Sequence, residues 1–317
     1  MFRDRVVHHL YFNYAHELFE RTFIQDTYSC ISGRGTHYGI DRLRMHIRQE
    51  SRNWSEPCYA MNLDIRGYFM HIRRDRLLEI ATESIRKMAG HRVHKDSAVT
   101  WADIRDIDFI CYLTREIVLL DPKTCCEIIG SKEDWIGLDR NKSLFYTPAG
   151  CGLPIGNLTS QLFSNVYLNV FDQFMKRVLG CRHYGRYVDD SYVISADREW
   201  LLSLIPSIRT FLNDKLGLEL HMGKLHVRNV TQGVEFLGAF VKPYRDYVSN
   251  KTLHRMTTSM KTLDLKDRNH VRCSVNSYLG VLSHSASYNL RRRLFLDSDV
   301  SRVMEFDNDI LKGKLIT

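Results

Sequence analysis

The ten residues Arg186–Ser195, RYVDDSYVIS, place two adjacent acids between segments of β-forming residues. Tyr187 and Val188 precede Asp189 and Asp190, so the pattern predicts a β-hairpin with the carboxylates at its turn. Two neighbouring like charges are stable only if they are exposed or bound to cations, and Mg²⁺ prefers carboxylate oxygens. An ordinary acidic surface turn is the commoner explanation of the dipeptide alone. The rest of the chain has to decide between the two.

A third acid lies at the end of another predicted strand. Tyr59–Leu63 has the composition of a buried strand, and Asp64 ends it. An acid next to an apolar core is costly unless it has a partner. A metal ion would be one partner, and Arg66 is the structural alternative.

Two loops contain features of phosphate-binding segments. In Ser29–Gly39 two glycines flank Arg34 and would let the backbone approach a phosphate, although a plain glycine turn fits equally well. A glycine-rich loop ending at Gly156 precedes a helix predicted from Leu158, whose first turn would favour an anion or simply be capped. Arg42 lies on the polar side of a helix predicted over 40–50, which as a solvated basic face needs no ligand.

The remaining segments are mostly predicted helices. Phe2–Phe23 has apolar residues at helical spacing, with Val6, Leu10, Tyr14 and Leu18 expected to face inward. Further helices are predicted over 73–90, 200–216 and much of the tail, where Tyr278, Leu279 and Leu282 share one face. Lys224 is expected in a short exposed turn, Val234–Val241 as one apolar strand, and Pro243–Asn250 as a boundary.

Composition narrows the class of protein. The net charge is +8 and the pI about 9.0, and residues 251–317 hold 12 Lys or Arg against 7 Asp or Glu, a surplus of five positive charges. That balance suits a polyanionic partner. We expect no membrane segment, because no apolar run approaches about 20 residues. The cysteines lack zinc-site spacing, so we interpret them as reduced thiols of a cytoplasmic protein.

Taken in order, these features resemble the palm of a reverse transcriptase, over roughly Ser29 to Val241. The resemblance implies an α+β, right-hand polymerase fold with fingers, a palm with an antiparallel sheet, and a helical thumb. The expected bounds are 1–58 for the N-terminal fingers, 59–242 for the palm with a finger insertion around 91–145, and 243–317 for the thumb.

The resemblance also implies roles for individual residues. Two Mg²⁺ ions, with Mn²⁺ as an alternative, would be held by Asp64, the Ile65 carbonyl, Asp189 and Asp190, and Lys224 would protonate the leaving pyrophosphate. Residues implied to contact the incoming nucleotide are Arg34, Arg42, Ile65, Phe69, Ile155, Gly156 and Gln161, with Phe69 excluding a ribose 2′-hydroxyl unless it merely packs in the core. Residues implied to contact template or primer are Tyr187, Phe236, Leu237, Gly238, Arg291, Arg292 and Arg293.

One loop points to a particular branch of the family. Group II intron and retroviral enzymes usually carry Q-G-x-x-x-S-P before this helix, whereas this chain has I-G-N-L-T-S-Q over Ile155–Gln161. That variant is similar to the reverse transcriptases of diversity-generating retroelements, as are FRDRVVHHL over 2–10, GRGTH over 33–37 and NSYLG over 276–280. The family usually has more chain before the F-R-D-R segment, so a shortened or diverged member would also fit.

The retroelement resemblance implies low-fidelity RNA-directed DNA synthesis with errors at template adenines. The implied partners are a template RNA, a cDNA or primer, dNTPs, and a small, basic, oligomeric accessory variability protein. The implied location is the bacterial cytoplasm, with the gene encoded by a bacterium or a phage. One alternative is an antiphage-defence reverse transcriptase that uses a dedicated non-coding RNA or no template. Another is a non-catalytic RNA-binding protein on a polymerase scaffold.

Overall fold

A computed structural model describes residues 2–124, 126 and 129–316. Its α-helices are α1 (Phe2–Glu20), α2 (Thr36–Glu50), α3 (Tyr68–His71), α4 (Arg74–Ala89), α5 (Trp101–Ile104), α6 (Ile107–Leu119), α7 (Leu158–Gln173), α8 (Arg198–Leu216), α9 (Asn250–Lys261), α10 (Arg268–Leu282) and α11 (Tyr288–Arg291). Its strands are β1 (Tyr59–Leu63), β2 (His183–Tyr187), β3 (Asp190–Ser195), β4 (His226–Asn229), β5 (Val234–Phe236), β6 (Ala239–Lys242), β7 (Arg245–Val248), β8 (Met304–Phe306) and β9 (Gly313–Leu315). The predicted α+β class is confirmed.

The chain forms two compact units, each built from two segments of sequence. The first contains Met1–Gly39 and Met61–Val227, and the second contains Ile40–Ala60 and Arg228–Thr317. The expected limits of fingers, palm and thumb stay a prediction. No helix within the described residues combines the length and the apolar character that crossing a membrane requires.

A four-stranded sheet in the order β2-β3-β1-β4 positions the acids of the first unit. Strands β2 and β3 pair antiparallel from His183 opposite Ile194 to Tyr187 opposite Asp190. The predicted hairpin is therefore confirmed. Its apolar residues Tyr184, Tyr192 and Val193 are fully buried, which explains why so short a hairpin is stable beside a helix layer.

Helix α7 is the buried helix of the first unit. Its apolar residues Leu162, Phe163, Val166, Tyr167, Leu168 and Phe171 are all buried, and polar residues such as Asn165 and Asp172 are buried with them, so the helix is covered on most of its sides. Helices α1 and α4 pack against it.

The buried face of α1 differs from the prediction. Of the four residues expected to face inward, Leu18 is fully buried as predicted and Tyr14 is half-buried, whereas Val6 and Leu10 are each 53% exposed. Tyr11, Ala15 and Phe19 complete the buried face. Residues four apart, such as Val6 and Leu10, form only one of the apolar rows on this helix. Packing against neighbouring helices buries the adjacent row that contains Tyr11 and Ala15.

The second unit contains the antiparallel sheet β5-β6-β7 and the helices α9 and α10. Strand β7 lies within Pro243–Asn250, whose expected role as a boundary stays a prediction. One prediction is wrong here: the expected single strand Val234–Val241 is a hairpin that turns at Leu237–Gly238. Both turn residues have positive φ, 52° and 80°, which reverses the chain between two pairing strands. The tail buries the predicted face of α10, with Leu279 and Leu282 in its core, and adds the hairpin β8–β9.

Candidate active site

The turn between β2 and β3 presents the two adjacent acids. Tyr187 pairs with Asp190, so only Val188 and Asp189 lie between the paired positions. Asp189 and Tyr187 are half-buried and Asp190 is exposed. Val188 has a φ of 55°, a left-handed conformation that is rare for a β-branched residue.

Sheet order brings Asp64 to the same place. Strand β1 lies next to β3, so the residue that follows β1 lies near the hairpin turn despite the long sequence separation. Beyond Asp64 the chain pairs Ile65 with Leu220, and the carbonyl of Asp64 accepts a hydrogen bond of 2.8 Å from the backbone N–H of His221. This second pairing holds Asp64 and the buried Ile65 at fixed positions.

Lys224 is the partner of Asp64. It lies in the predicted exposed 3-10 turn, Met222–Lys224, and its Nζ donates to Asp64 Oδ2 at 2.9 Å. Arg66, the partner we considered from the sequence, instead contacts Glu219 at 3.4 Å. The structure therefore brings together Asp64 and Lys224, which are 160 residues apart.

Electrostatics connect these side chains into one site. Burial, together with the negative charges of Asp190 and Asp64, raises the pKa of Asp189 to about 6, against the opposing effect of Lys224. The hydrogen bond to Asp64 raises the pKa of Lys224, and the charges of Asp190 and Asp189 add to that. Three carboxylates thus share one region with a single lysine facing them.

The chemistry of these donors fits a hard divalent cation. Carboxylate and carbonyl oxygens are the ligands that Mg²⁺ prefers, and a cation would relieve the repulsion that raises the pKa of Asp189. As the side chains stand, no three His, Cys, Asp or Glu residues of the described ranges are arranged closely enough to hold a metal ion. Asp64 is paired with Lys224 in this arrangement, so a cation would have to displace that lysine or share the carboxylate with it.

The loop before α7 is tied to the segment that follows Asp64. The N–H of Leu153 donates to the carbonyl of Phe69 at 2.9 Å, and the N–H of Gly152 donates to that of Ile72 at 2.9 Å. Phe69 is half-buried beside Tyr68. These bonds bring the loop of Ile155 to the segment of Phe69, as a shared nucleotide site requires.

Within this loop the predicted residues are accessible. Ile155 is 71% exposed, and Gly156 has a φ of 103°, a conformation that glycine adopts without strain. Gln161 is exposed and its Oε1 accepts a hydrogen bond from Cys30 Sγ at 3.4 Å. Nothing in the loop buries the side chain of Ile155 against the protein.

The two candidate arginines have other contacts. Arg34 Nη1 donates to the carbonyls of Ile24 and Thr27, at 3.0 and 2.9 Å, so one nitrogen of its guanidinium stabilises the chain just before its own loop. Arg42 belongs to the second unit, where it contacts Met45 and His46. Their predicted contact with a triphosphate stays a prediction.

The candidates in the second unit differ in accessibility. Phe236 is buried and Leu237 and Gly238 form the β5–β6 turn. Arg291 is only 7% exposed, and its guanidinium donates to the carbonyls of Leu282 and Asp309 and to Ser287 Oγ. Arg291 therefore stabilises its own unit. The predicted contact with a nucleic-acid backbone stays a prediction for the exposed Arg292 and Arg293.

Sequence reasoning missed a buried ion pair behind the turn. Arg186 and Asp172 are both fully buried and bond through two contacts of 2.7 and 2.6 Å. Burial opposes the charge of Arg186, but the carboxylate of Asp172 outweighs it and raises its pKa. A signal was present: an arginine inside a β-forming run and an acid inside an apolar helix each require a buried partner.

His8 was missed as well. Its Nδ1 is hydrogen bonded to Thr159 Oγ1 at 2.7 Å, which joins α1 to the first turn of α7.

Comparison with known proteins agrees with this geometry. Residues 14–241 match the family described as reverse transcriptase (RNA-dependent DNA polymerase), which is more than half of the chain. No curated protein matches the chain in sequence.

One solved structure, that of apo telomerase, shows the same fold. Apo telomerase from Candida tropicalis is similar with a TM-score of 0.52 and 12% identity, over 87% of this chain and 44% of that chain. Telomerase from Candida albicans, in complex with the TWJ fragment of telomeric RNA, has a TM-score of 0.49 and 12% identity, over 92% and 45%. The chain thus spans less than half the length of these telomerases, and the likeness establishes the right-hand polymerase fold alone.

Proposed function

We propose, from the premise that this chain belongs to the reverse transcriptase family, that it makes error-prone cDNA from a template RNA as the polymerase of a diversity-generating retroelement. The observation that carries the polymerase activity is the convergence of Asp64, Asp189 and Asp190 on one region with Lys224. A protein that only bound RNA would have no need for three carboxylates there, because they repel a polyanion.

In the proposed reaction the primer 3′-hydroxyl loses its proton to solvent and attacks the α-phosphate of a dNTP. A bond forms from the 3′-oxygen to that phosphorus, and the bond to the bridging oxygen of the leaving pyrophosphate breaks. Asp64, Asp189 and the Ile65 carbonyl would hold two Mg²⁺ ions, with Asp190 close by. When bound, such ions stabilise the charge on the attacking and leaving oxygens.

Lys224 has a second proposed role. Its ammonium group, now on Asp64, would give a proton to the departing pyrophosphate. The raised pKa keeps this group protonated, so it serves as an acid and as a countercharge to the carboxylates.

Two side chains would select the nucleotide. Phe69 would close the space beside the sugar, so that a ribose 2′-hydroxyl does not fit. Ile155 would face the incoming nucleotide with no hydrogen-bonding group, where the family's glutamine would hold it. The exposure of Ile155 and the backbone ties of its loop to Phe69 support this proposal.

The retroelement role rests on that loop. A site that loses one polar contact to the nucleotide discriminates less well between right and wrong bases, because discrimination is a difference of transition-state binding energies. Errors at template adenines would follow, and a small, basic, oligomeric accessory variability protein would be the partner.

The test is primer extension on an RNA template with dNTPs and Mg²⁺, followed by sequencing of the products. We expect synthesis with errors concentrated opposite adenines, and no synthesis by Asp189→Ala. Glu83→Gln, which neutralises an exposed acid on α4, is the control and should behave as the parent.

Each outcome decides a different part of the proposal. Normal incorporation by folded Asp189→Ala would exclude the assigned site. Faithful synthesis would retain the polymerase and exclude the retroelement role, leaving the defence type of enzyme. If the isolated chain is inactive, the assay is repeated with the accessory protein and structured RNA, and inactivity there would exclude a polymerase.

A further inference from the structure

The backbone of the turn that carries Asp189 is strained. Val188 adopts the left-handed conformation with φ 55°, although its branched side chain disfavours it. Such a conformation persists only where the surrounding structure holds it. The direction of the next residue, Asp189, depends on this one dihedral angle.

Both polar atoms of the Val188 backbone are held by buried side chains. Arg186 Nη1 donates to the carbonyl of Val188 at 2.8 Å. The N–H of Val188 donates to Ser29 Oγ at 3.2 Å. A turn at a protein surface usually leaves these groups to water, so two buried side-chain partners on one residue require an explanation.

The two holding side chains are themselves anchored to α7. Arg186 makes its two contacts with Asp172, whose carboxylate also accepts from Tyr184 and Thr27. Ser29 Oγ donates to Asn165 Oδ1 at 3.1 Å, and Asn165 Nδ2 returns a bond of 2.7 Å to the Ser29 carbonyl. We call Ser29, Asn165, Asp172 and Arg186 the turn-holding network. All four residues are buried.

We propose that the turn-holding network is a positioning device: it keeps Val188 left-handed and so directs the Asp189 carboxylate toward the metal ions. The inference rests on the proposed function, because it concerns the same site. None of the four residues touches substrate, so each acts through the backbone of the turn. The network would also couple the turn to α7, whose first residues belong to the proposed nucleotide site.

The competing explanation is that these residues only stabilise the fold. A stabilising role predicts a lower melting temperature and nothing else. A positioning role predicts weaker metal binding by protein that is fully folded, since partners that orient metal ligands tune affinity.

The experiment measures the Mg²⁺ midpoint in two ways: thermal stabilisation of the metal-free protein, and primer extension well below the melting temperature. The variants are Arg186→Lys, which keeps the charge but loses the planar pair of donors, and the milder Ser29→Ala. The control is Arg74→Lys, since Arg74 is a buried arginine whose partners are Asp121 and the Leu120 carbonyl.

We expect Arg186→Lys and Ser29→Ala to raise the Mg²⁺ midpoint about 10-fold, while Arg74→Lys lowers the melting temperature without moving the midpoint. Adding Val188→Gly to Arg186→Lys should restore much of the metal affinity, because glycine adopts the left-handed conformation unaided. That rescue is a result that a purely stabilising role does not give.

An unchanged midpoint in folded Ser29→Ala and Arg186→Lys would overturn the inference, as would failure of Val188→Gly to rescue. If the parent binds Mg²⁺ but never extends a primer, the proposed function fails while the thermal titration still decides the inference. If the parent shows no response to Mg²⁺ in either readout, the inference is wrong.

Discussion

Asp189 shows how the position of a single carboxylate can lower the stability of the folded chain. Its carboxylate is half-buried beside two other acids, and its pKa lies near 6 in the folded chain against an ordinary value of 3.8. The fold therefore favours the protonated acid. The stability linked to this acid is complete below pH 3.8 and is lost as the pH rises through 6.

Asp189→Asn should thus stabilise the metal-free protein at neutral pH. The neutral amide resembles the protonated acid, so we expect a gain of about 1–3 kcal/mol at pH 7.5 that vanishes toward pH 4. Thermal unfolding in EDTA across this pH range measures it, with Glu83→Gln as the control. A variant less stable than the parent at pH 7.5 would contradict the assignment. Added Mg²⁺ should stabilise the parent and not the variant.

Ile155 is a second residue whose substitution tests one property alone, the fidelity of synthesis. Ile155→Gln would supply the amide that the loop lacks, and we expect misincorporation opposite template adenine to fall about 10-fold, equivalent to about 1.4 kcal/mol of added discrimination. Sequencing of extension products measures this.

Ile136→Gln is the matched control for that substitution. Ile136 is an isoleucine 82% exposed in another segment, so the same change there should leave the error rate unaltered. Equal error rates in the parent and in Ile155→Gln would show that Ile155 does not determine the fidelity of synthesis.

At the scale of elements, the β2–β3 hairpin depends on a close approach at Gly185. A Cβ at this position would lie 2.2 Å from Tyr28 Oη and 2.7 Å from the ring of Tyr192. Both tyrosines are fully buried and their hydroxyls are hydrogen bonded to each other at 2.7 Å, so moving either side chain would cost packing and a hydrogen bond.

Gly185→Ala should therefore destabilise the protein by about 2–4 kcal/mol, because overpacking in a core is costly. Adding Tyr28→Phe removes the nearest atom and should recover part of the loss, which thermal or urea unfolding would measure. Gly35→Ala is the control, since a Cβ there meets nothing within 4 Å. If Gly185→Ala melts like the parent, the packing described for this hairpin is wrong.

At the scale of the whole molecule, charge is distributed unevenly. Of a net charge of +8, a surplus of five lies in residues 251–317, and the exposed Arg292 and Arg293 belong to that segment. Arginines that contact phosphates release counterions, so their contribution to binding declines with salt.

We expect Arg292→Gln and Arg293→Gln each to reduce the salt dependence of RNA–DNA duplex binding, with the slope of log K against log salt smaller by about one. The melting temperature should not change. Arg291→Gln should instead lower the melting temperature and leave the salt slope unchanged, since it leaves buried carbonyls without donors. Arg86→Gln on α4 controls for the loss of one positive charge elsewhere, and an equal effect from it would exclude a specific contact by the tail.

Much of the candidate site could be predicted from sequence because its signals are local. The Asp189–Asp190 hairpin, the strand that ends at Asp64 and the turn of Lys224 each follow from patterns within about ten residues. The family-specific roles of Phe69 and Ile155 came from resemblance and stay predictions.

Several structural features could not be predicted from sequence because they depend on which helices and strands pack against each other. The α1 sequence offers more than one apolar row, and only packing against α4, α6 and α7 buries Tyr11 and Ala15 in place of Val6 and Leu10. Likewise, Val234–Val241 is apolar apart from Glu235, and the positive φ of Leu237 and Gly238 turns it into a hairpin. Arg291 looked like its two neighbours in sequence and is buried by the helices of its own unit.

The sequence by itself determined most of the helices, the β2–β3 hairpin and the acids that stand at strand ends, because backbone propensity and apolar periodicity act over short distances. Only the tertiary structure decided that Lys224 pairs with Asp64 and that Arg186 and Asp172 hold the turn of Asp189. These pairs join residues 14 to 160 positions apart, and the cost of burying each charge is met only when the partner arrives from another element.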